Sequence, residues 1–166
     1  LIVALAMQFT IRHSGTRDPL ASQSPWYVLA ELSDPVQGSM TALLETAMER
    51  GLVTDATLAQ SMGQRQELWS LRELISESQK PEGGSIKHDV SVPVSKVPQF
   101  LNEADAAVGR CMPGVRFVTF GHLGDGNMHF NVSQPLGMDK QAYLDQWHAM
   151  NRKIHDVVVK HKGSFS

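Results

Sequence analysis

The chain has 166 residues, 42% of them hydrophobic and 19% charged, with a formal net charge of -2 at pH 7. This composition is typical of a globular protein and excludes a disordered chain or a basic surface for nucleic acid. The single cysteine excludes a disulfide framework and a cysteine-rich zinc site, so we expect a reducing, cytoplasmic compartment. The apolar opening LIVALAMQF is too short to span a bilayer, and both ends suggest a piece of a longer protein.

The first half of the chain predicts one strand and two helices. The run WYVLAEL, residues 26–32, is rich in aromatic and β-branched residues and indicates a buried strand. Asp34 and Pro35 are typical of a helix N-cap and first turn, and predict a helix that reaches about Arg50. A second helix is predicted over about residues 55–79, with its first residue, an aspartate, as the cap.

The second half predicts elements in the order strand, helix, strand, strand, helix. These elements lie over residues 85–94, 96–110, 115–122, 127–133 and 139–162. The order matches a ferredoxin-like unit: an α+β fold whose antiparallel sheet carries helices on one face, here truncated at both ends. A further strand is expected after the last helix. We divide the chain into an N-terminal part of this unit, residues 1–80, and a ferredoxin-like half, residues 81–166.

The stretch FGHLGDGNMHFNV places two histidines on either side of a Gly-Asp-Gly turn. If the aspartate and the second glycine form a two-residue turn, His122 lies directly opposite His129, with Cβ atoms about 5 Å apart. The strand period of two then puts Phe120 and Asn131 on the same face. Two such imidazoles could share a divalent metal or form a simple hydrogen-bonded pair, and a zinc-type site needs three or four protein ligands.

Further polar residues could complete a site with these histidines. In the strand before them, Lys87 and Asp89 fall on the open face, whereas His88 falls on the apolar face and is predicted to be a core histidine. Arg72 and Ser76 share one face of the second predicted helix. The two cationic side chains, those of Lys87 and Arg72, could simply be solvated at the surface, or they could bind a substrate carboxylate.

Three stretches, FGHLGDGNMHFNV, SIKHDVSVPVSKVPQFL and LWSLREL, closely resemble the C-terminal substrate (cap) domain of FAD-linked oxidases. The family includes the glycolate oxidase large subunit, D-lactate dehydrogenase and D-2-hydroxyglutarate dehydrogenase. The resemblance implies an FAD-dependent 2-hydroxy acid dehydrogenase that oxidises a D-2-hydroxy acid to a 2-oxo acid, with hydride transfer from C2 to flavin N5. FAD would be bound mainly by an N-terminal domain absent from this chain, so we expect these residues alone to be inactive.

The resemblance also implies roles for individual residues. His122 and His129 would match two ligands of a divalent metal, usually zinc, whose third ligand and the proton-accepting histidine lie beyond Ser166. No catalytic residue is expected within the chain. The residues that would match substrate-binding positions of the family are Arg72, Ser76, Lys87 and Asn131.

The expected partners are a small anionic 2-hydroxy acid, the missing FAD-binding domain and an electron acceptor protein, within a homo-oligomer. An exposed, partly apolar sheet face with Phe120 beside the histidines is expected to meet the missing domain. Two alternatives stay open at this point. The fold could be a non-catalytic ferredoxin-like module that binds a small ligand or regulates, or the complete flavoprotein could act on a phenol or alcohol.

Overall fold

The fold, known from a computed structural model that describes residues 1–33 and 38–166, is built on a seven-stranded antiparallel sheet. The strands are β1 (Ile2–Val3), β2 (Trp26–Tyr27), β3 (Ser85–Ile86), β4 (Asp89–Ser91), β5 (Arg116–His122), β6 (Asn127–Ser133) and β7 (Ser164–Phe165). The helices are α1 (Ala4–Ser14), α2 (Ser39–Glu49), α3 (Met62–Glu73), α4 (Ile75–Ser78), α5 (Val97–Cys111), α6 (Lys140–Leu144) and α7 (Trp147–Lys160). None of these helices has both the length and the apolarity needed to cross a bilayer.

The sheet has the order β2-β1-β5-β6-β4-β7, and β3 also pairs with β6. Strands β3 and β4 follow one register against β6, because Ile86 pairs with Val132 and Asp89 pairs with His129. They are therefore two pieces of the single strand that the sequence predicts. The predicted α+β class with an antiparallel sheet is confirmed, and β7 is the strand expected after the last helix.

One face of the sheet packs against α5 and α7, and this packing forms the first core cluster. Phe100 of α5 and Phe130 of β6 are both fully buried and meet edge to face, with ring centroids 5.9 Å apart. Ile154 of α7 is also fully buried. Burying a side chain of this size stabilises the fold by about 1.5–3 kcal/mol, so this cluster fixes the helices on the sheet.

The opposite face is covered in part by α1, α3 and α4, which form a second core cluster with β1 and β5. Phe9, Leu71 and Ile75 of these helices pack there together with Val118 and Phe120 of β5. Phe120 is only 2% exposed. The expectation of an exposed apolar face around Phe120 is therefore wrong, because the N-terminal helices bury that ring.

A cluster of charges around Glu82, here called the Glu82 cluster, ties α1 to β5. One carboxylate oxygen of Glu82 accepts from Arg12 (2.6 Å) and pairs with His13 (2.7 Å), while the other accepts from Arg116 (2.7 Å). Burial raises the pKa of Glu82, but the hydrogen bonds from His13, Arg116 and Arg12 outweigh it and lower the pKa to about 2. The cluster holds the two halves of the chain together, and the division at residue 80 stays a prediction.

The first predicted strand is shorter than expected. Only Trp26–Tyr27 of the stretch 26–32 is a strand, because its partner β1 has just two residues and further backbone has no ladder to join. The helix predicted to reach Arg50 is present as α2. Its predicted N-cap residues, Asp34 and Pro35, lie outside the described residues.

The second predicted helix begins later than Asp55. Ser61 is its N-cap and accepts a hydrogen bond from the backbone N–H of Gln64, while the Asp55 carboxylate instead accepts from the backbone N–H groups of Ala21 and Ser22. The helix also breaks between α3 and α4. Likewise, the helix predicted over 139–162 is two helices, α6 and α7.

Candidate functional site

Strands β5 and β6 carry both candidate metal ligands, but in a different register from the predicted one. His122 pairs with Asn127, and His129 pairs with Phe120, across a four-residue turn at 123–126. The prediction that His122 lies directly opposite His129 is therefore wrong. The register is shifted by two residues, so both imidazoles still share one face, as diagonal neighbours.

The wider turn follows from contacts made by its last two residues. The Asp125 carboxylate accepts a hydrogen bond from the backbone N–H of Asn127 (3.0 Å). Gly126 has φ +72°, and its carbonyl accepts from the backbone N–H of Val92 (3.1 Å). The first bond closes the turn on itself, and the second holds it against the residue that follows β4.

The face of the sheet that carries the two histidines is here called the site face. Alternation along each strand also places Phe120 and Asn131 on this face, as predicted. Met128 and Phe130, on the other face of β6, point into the first core cluster. The expected grouping of residues by face is thus correct even though the pairing is not.

Arg72 comes to the site face from the last turn of α3. Its guanidinium donates toward Nε2 of His122 at 3.3 Å, and its Cζ lies 5.0 Å from the centre of the Phe120 ring. Leu71 anchors this turn of the helix in the second core cluster. The structure therefore brings Arg72 and His122 together, and Phe120 supports the cation through its ring face.

His129 is held by Asp89, a residue that the sequence analysis placed on the open face without a partner. The Nδ1 atom of His129 contacts the carboxylate of Asp89, its direct partner in β4. Phe120 covers the ring from another side, with centroids 4.7 Å apart. The alternation in β4 shows that Asp89 shares a face with Lys87, but only the inter-strand register shows that it faces His129.

The remaining predicted substrate residues lie in different environments. Lys87 is exposed, and the register places it opposite Asn131. Asn131 is 3% exposed, and its Nδ2 donates to Oε1 of Gln79 (3.2 Å), a contact that the sequence gave no means of predicting. Ser76 is exposed on α4, beyond the break that separates it from Arg72.

His88 is the core histidine that the sequence predicts. It is 4% exposed, its Nδ1 donates to the carbonyl of Phe130 (2.9 Å), and its Nε2 pairs with the side-chain amide of Asn151 (2.7 Å). Burial lowers the pKa of His88. It points away from the site face and takes no part in the site.

The donors on the site face fit a divalent metal in kind but not in number. Two imidazoles are suitable nitrogen ligands, yet residues 1–33 and 38–166 contain no group of three or more His, Cys, Asp or Glu side chains that could hold an ion. A cavity of about 600 Å³ lies elsewhere, lined by residues 14–19 and 57–59 and by α3. The site face is open at the end that carries the exposed His122, whereas Phe120 and Asn131 are buried.

The chain is similar in sequence to a known domain family and to known enzymes. The family described as FAD linked oxidases, C-terminal domain, matches residues 2–166. D-2-hydroxyglutarate dehydrogenase of Stutzerimonas stutzeri is 39% identical over 151 residues, which are 89% of this chain and 32% of that protein. The enzyme of the same name from Xanthomonas citri is 33% identical, over 97% of this chain and 34% of its own length. The mitochondrial enzyme from Rattus norvegicus is 35% identical, over 90% of this chain and 29% of its own length. The chain spans about a third of the length of these relatives.

Proposed function

Because the chain belongs to the family of C-terminal domains of FAD-linked oxidases, we propose that it forms the substrate side of the active site in an FAD-dependent 2-hydroxy acid dehydrogenase. In this reaction a D-2-hydroxy acid loses a proton and a hydride, the flavin accepts the hydride, and a 2-oxo acid is released. The exposed end of the site face, at His122, suits a substrate held between two domains, and the FAD would be held by a domain outside these residues. An electron acceptor protein would reoxidise the flavin.

The observation that carries the proposal is the grouping of Arg72, His122 and His129 around the Phe120 ring. A guanidinium has five N–H donors, and the contact with His122 uses only part of this capacity. The remaining donors of Arg72 can bind a carboxylate in the bidentate, planar arrangement that makes such pairs strong. The ring beneath keeps the cation in place before the substrate arrives.

Lys87 adds a second positive charge to the site face. A substrate with two carboxylates can therefore use one cation for each, which favours an acid of the 2-hydroxyglutarate type over lactate. Ser76 and Asn131 have secondary roles in this proposal. Ser76 would offer a hydroxyl near the substrate carboxylate that Arg72 binds, and the Asn131 side chain would lie beneath the substrate.

His122 and His129 would hold a divalent metal, zinc by preference, together with at least one ligand from outside these residues. The metal would supply Lewis-acid stabilisation of negative charge on the substrate oxygen. The two imidazoles would contribute nitrogen ligands from one rigid pair of strands. Arg72 would bind the substrate carboxylate and so orient C2 toward the flavin.

The test uses the complete flavoprotein under anaerobic conditions. D-2-hydroxyglutarate should bleach the flavin absorbance, and Arg72→Ala should raise KM by roughly 10- to 100-fold, because a charge-assisted hydrogen bond is lost. Arg65→Ala is the matched control. Arg65 lies on the same helix but pairs with Glu31 (2.8 Å), so KM should not change.

The outcomes separate the parts of the proposal. A flavoprotein that no 2-hydroxy acid reduces contradicts the dehydrogenase function as a whole. Unchanged kinetics for Arg72→Ala remove Arg72 from the substrate site. His122→Ala should abolish both zinc content and turnover, and turnover that survives this change disproves the metal site.

A further inference from the structure

Helix α2 exposes an apolar stripe. Its apolar residues recur at positions i, i+3, i+4, i+7 and i+8, which form one helix face, and they are Met40, Leu43, Leu44, Ala47 and Met48. These five residues are here called the α2 stripe. Within Ser39–Glu49, a range that the structure describes in full, no residue is buried, and Leu43 is 57% exposed. Neither core cluster of the described chain includes a residue of this helix.

The helix has little stabilisation of its own. It has 11 residues and begins after Gly38, and no side chain of the described residues caps its N-terminus. A helix of this length is marginal in water, and the packing of its apolar face supplies most of its stability in a folded protein. The α2 stripe therefore needs a surface to pack against.

The two sides of α2 differ in chemistry. Glu45 and Glu49 lie on the side opposite the α2 stripe, which suits contact with water. Two further apolar side chains near α2 in the sequence are also exposed, Val28 at 69% and Leu52 at 67%. The segment thus offers one charged surface to solvent and one apolar surface to a partner.

The segment that carries α2 is tied to the helix that carries Arg72. The carboxylate of Glu31 accepts hydrogen bonds from Arg65 (2.8 Å) and from the indole of Trp69 (2.6 Å), both on α3. Trp69 lies one turn before Arg72. After α2, the hydroxyl of Thr54 contacts that of Ser24 (3.3 Å). A domain that covers a substrate at Arg72 is therefore next to the helix on which this segment is anchored.

The chemistry and size of the surface favour one kind of partner. Apolar interfaces are typical of permanent contacts, so the candidates are a second copy or a domain of the same polypeptide. The helix is only about 16 Å long. Separate molecules need an interface of about 1,200–2,000 Å², whereas domains of one chain dock through as little as about 600 Å². A linked domain also has a high effective concentration, which a second copy lacks.

We propose that the α2 stripe docks the FAD-binding domain within the same polypeptide. The chain spans about a third of the length of its relatives, so most of each relative lies outside the matched part. The sheet face around Phe120, where such a contact was expected, is already buried by the N-terminal helices. The inference rests on the proposed function for the identity of the partner, and its tests use no substrate.

The first experiment uses photo-crosslinking in the complete flavoprotein. With p-benzoylphenylalanine in place of Leu43, light should join this position to residues of the FAD-binding domain, as identified by mass spectrometry. The same amino acid in place of Glu45, on the opposite side of α2, is the matched control and should give no such product. An equal mixture of unlabelled and ¹⁵N-labelled protein distinguishes cross-links within one polypeptide from those between two copies.

The second experiment measures amide hydrogen exchange in the complete flavoprotein. The amides of α2 should exchange at least about 100-fold more slowly in the unchanged protein than in Leu43→Asp, because docking that buries even two leucine-sized side chains provides this protection. Glu45→Gln should exchange like the unchanged protein. The amides of β6 should stay equally protected in all three proteins, which shows that Leu43→Asp has not unfolded the domain.

The outcomes separate the possible partners. Cross-links that join labelled and unlabelled copies overturn the proposal in favour of a second copy. The absence of a cross-link from position 43 to the FAD-binding domain, or equal exchange of α2 in Leu43→Asp and the unchanged protein, also overturns it. A flavoprotein that cross-links as expected but that no 2-hydroxy acid reduces contradicts the proposed function and leaves the docking surface standing.

Discussion

Gly126 closes the turn between the two histidine strands, and Gly126→Ala should loosen this corner of the sheet. Its backbone has φ +72°, in the left-handed region that side chains rarely adopt. A Cβ at this position would also overlap the carbonyl oxygen of Val92. The turn must therefore move away from the end of β4 to admit a methyl group.

The cost of Gly126→Ala has two parts. Left-handed backbone costs a residue with a Cβ about 1–2 kcal/mol. Moving the turn weakens the bond from the Val92 N–H to the Gly126 carbonyl (3.1 Å), which contributes about 0.5–1.5 kcal/mol. The free energy of unfolding should fall by about 1.5–3.5 kcal/mol in total. At about 2–4 °C for each kcal/mol in a protein of this size, Tm should fall by roughly 3–14 °C.

Gly124→Ala is the control within the same turn. No atom lies within 4 Å of a Cβ added to Gly124, and its φ is outside the left-handed region. Its stability should be unchanged or slightly higher, because alanine restricts the unfolded chain. The assay is urea and thermal unfolding followed by tryptophan fluorescence. If Gly126→Ala proves as stable as Gly124→Ala, the close approach of the turn to β4 is wrong.

Three further predictions concern titration and burial. Glu82→Gln should lower the free energy of unfolding at pH 7 by about 1–3 kcal/mol, because Arg116 and its neighbours lose a charged acceptor. The pKa of Glu82 is lowered from 4.5 to about 2, so the stability difference between the two proteins should be present above pH 4.5 and disappear as the pH falls toward 2. Urea titrations at several pH values measure this difference, and a difference independent of pH would contradict its origin in the Glu82 charge. Burial raises the pKa of Asp105 from 3.8 to about 6, so its charge destabilises the fold increasingly as the pH rises through that range. Asp105→Asn should therefore raise the free energy of unfolding by about 1–2 kcal/mol at pH 7.5, and Tm with it, but should not do so at pH 4. Equal increases in Tm at the two pH values would disprove the statement that burial of the charge is costly. His88→Leu should destabilise the protein by about 1–3 kcal/mol, because it leaves the buried Phe130 carbonyl without its hydrogen-bond donor. The KM of the complete flavoprotein should not change, and a rise in KM would show that the two faces of the sheet are coupled.

Side-chain periodicity predicted the faces of the elements well. The apolar stripe of α5 is buried as its spacing indicates, and His88 lies in the core while His122 and His129 share the other face. Periodicity depends on backbone geometry alone, which is the same wherever the element packs. Faces can therefore be predicted from one sequence without knowledge of the tertiary structure.

Pairing and capping were harder to predict because they depend on distant residues. The turn after His122 is wide because Gly126 bonds to Val92, which is 34 positions earlier in the chain. Asp55 has the chemistry of a helix cap, but its carboxylate binds the loop at residues 21–22 instead. The burial of Phe120 by the N-terminal helices has the same origin. No local pattern identifies such partners, and Asp89 facing His129 belongs to this class.

Strand β6 has hydrogen-bonded neighbours on both sides, β5 along its whole length and β3 with β4 on the other. Its amide protons should therefore exchange with solvent mainly through global opening, and this protection should extend to His129. Arg72, by contrast, stands at the end of α3, beside the break that separates α3 from α4. The chain on both sides of this break is anchored, because Leu71 and Ile75 are buried in the second core cluster. The position of the arginine therefore depends on the packing of the N-terminal helices, whereas the position of the histidines depends on the hydrogen bonds of the sheet.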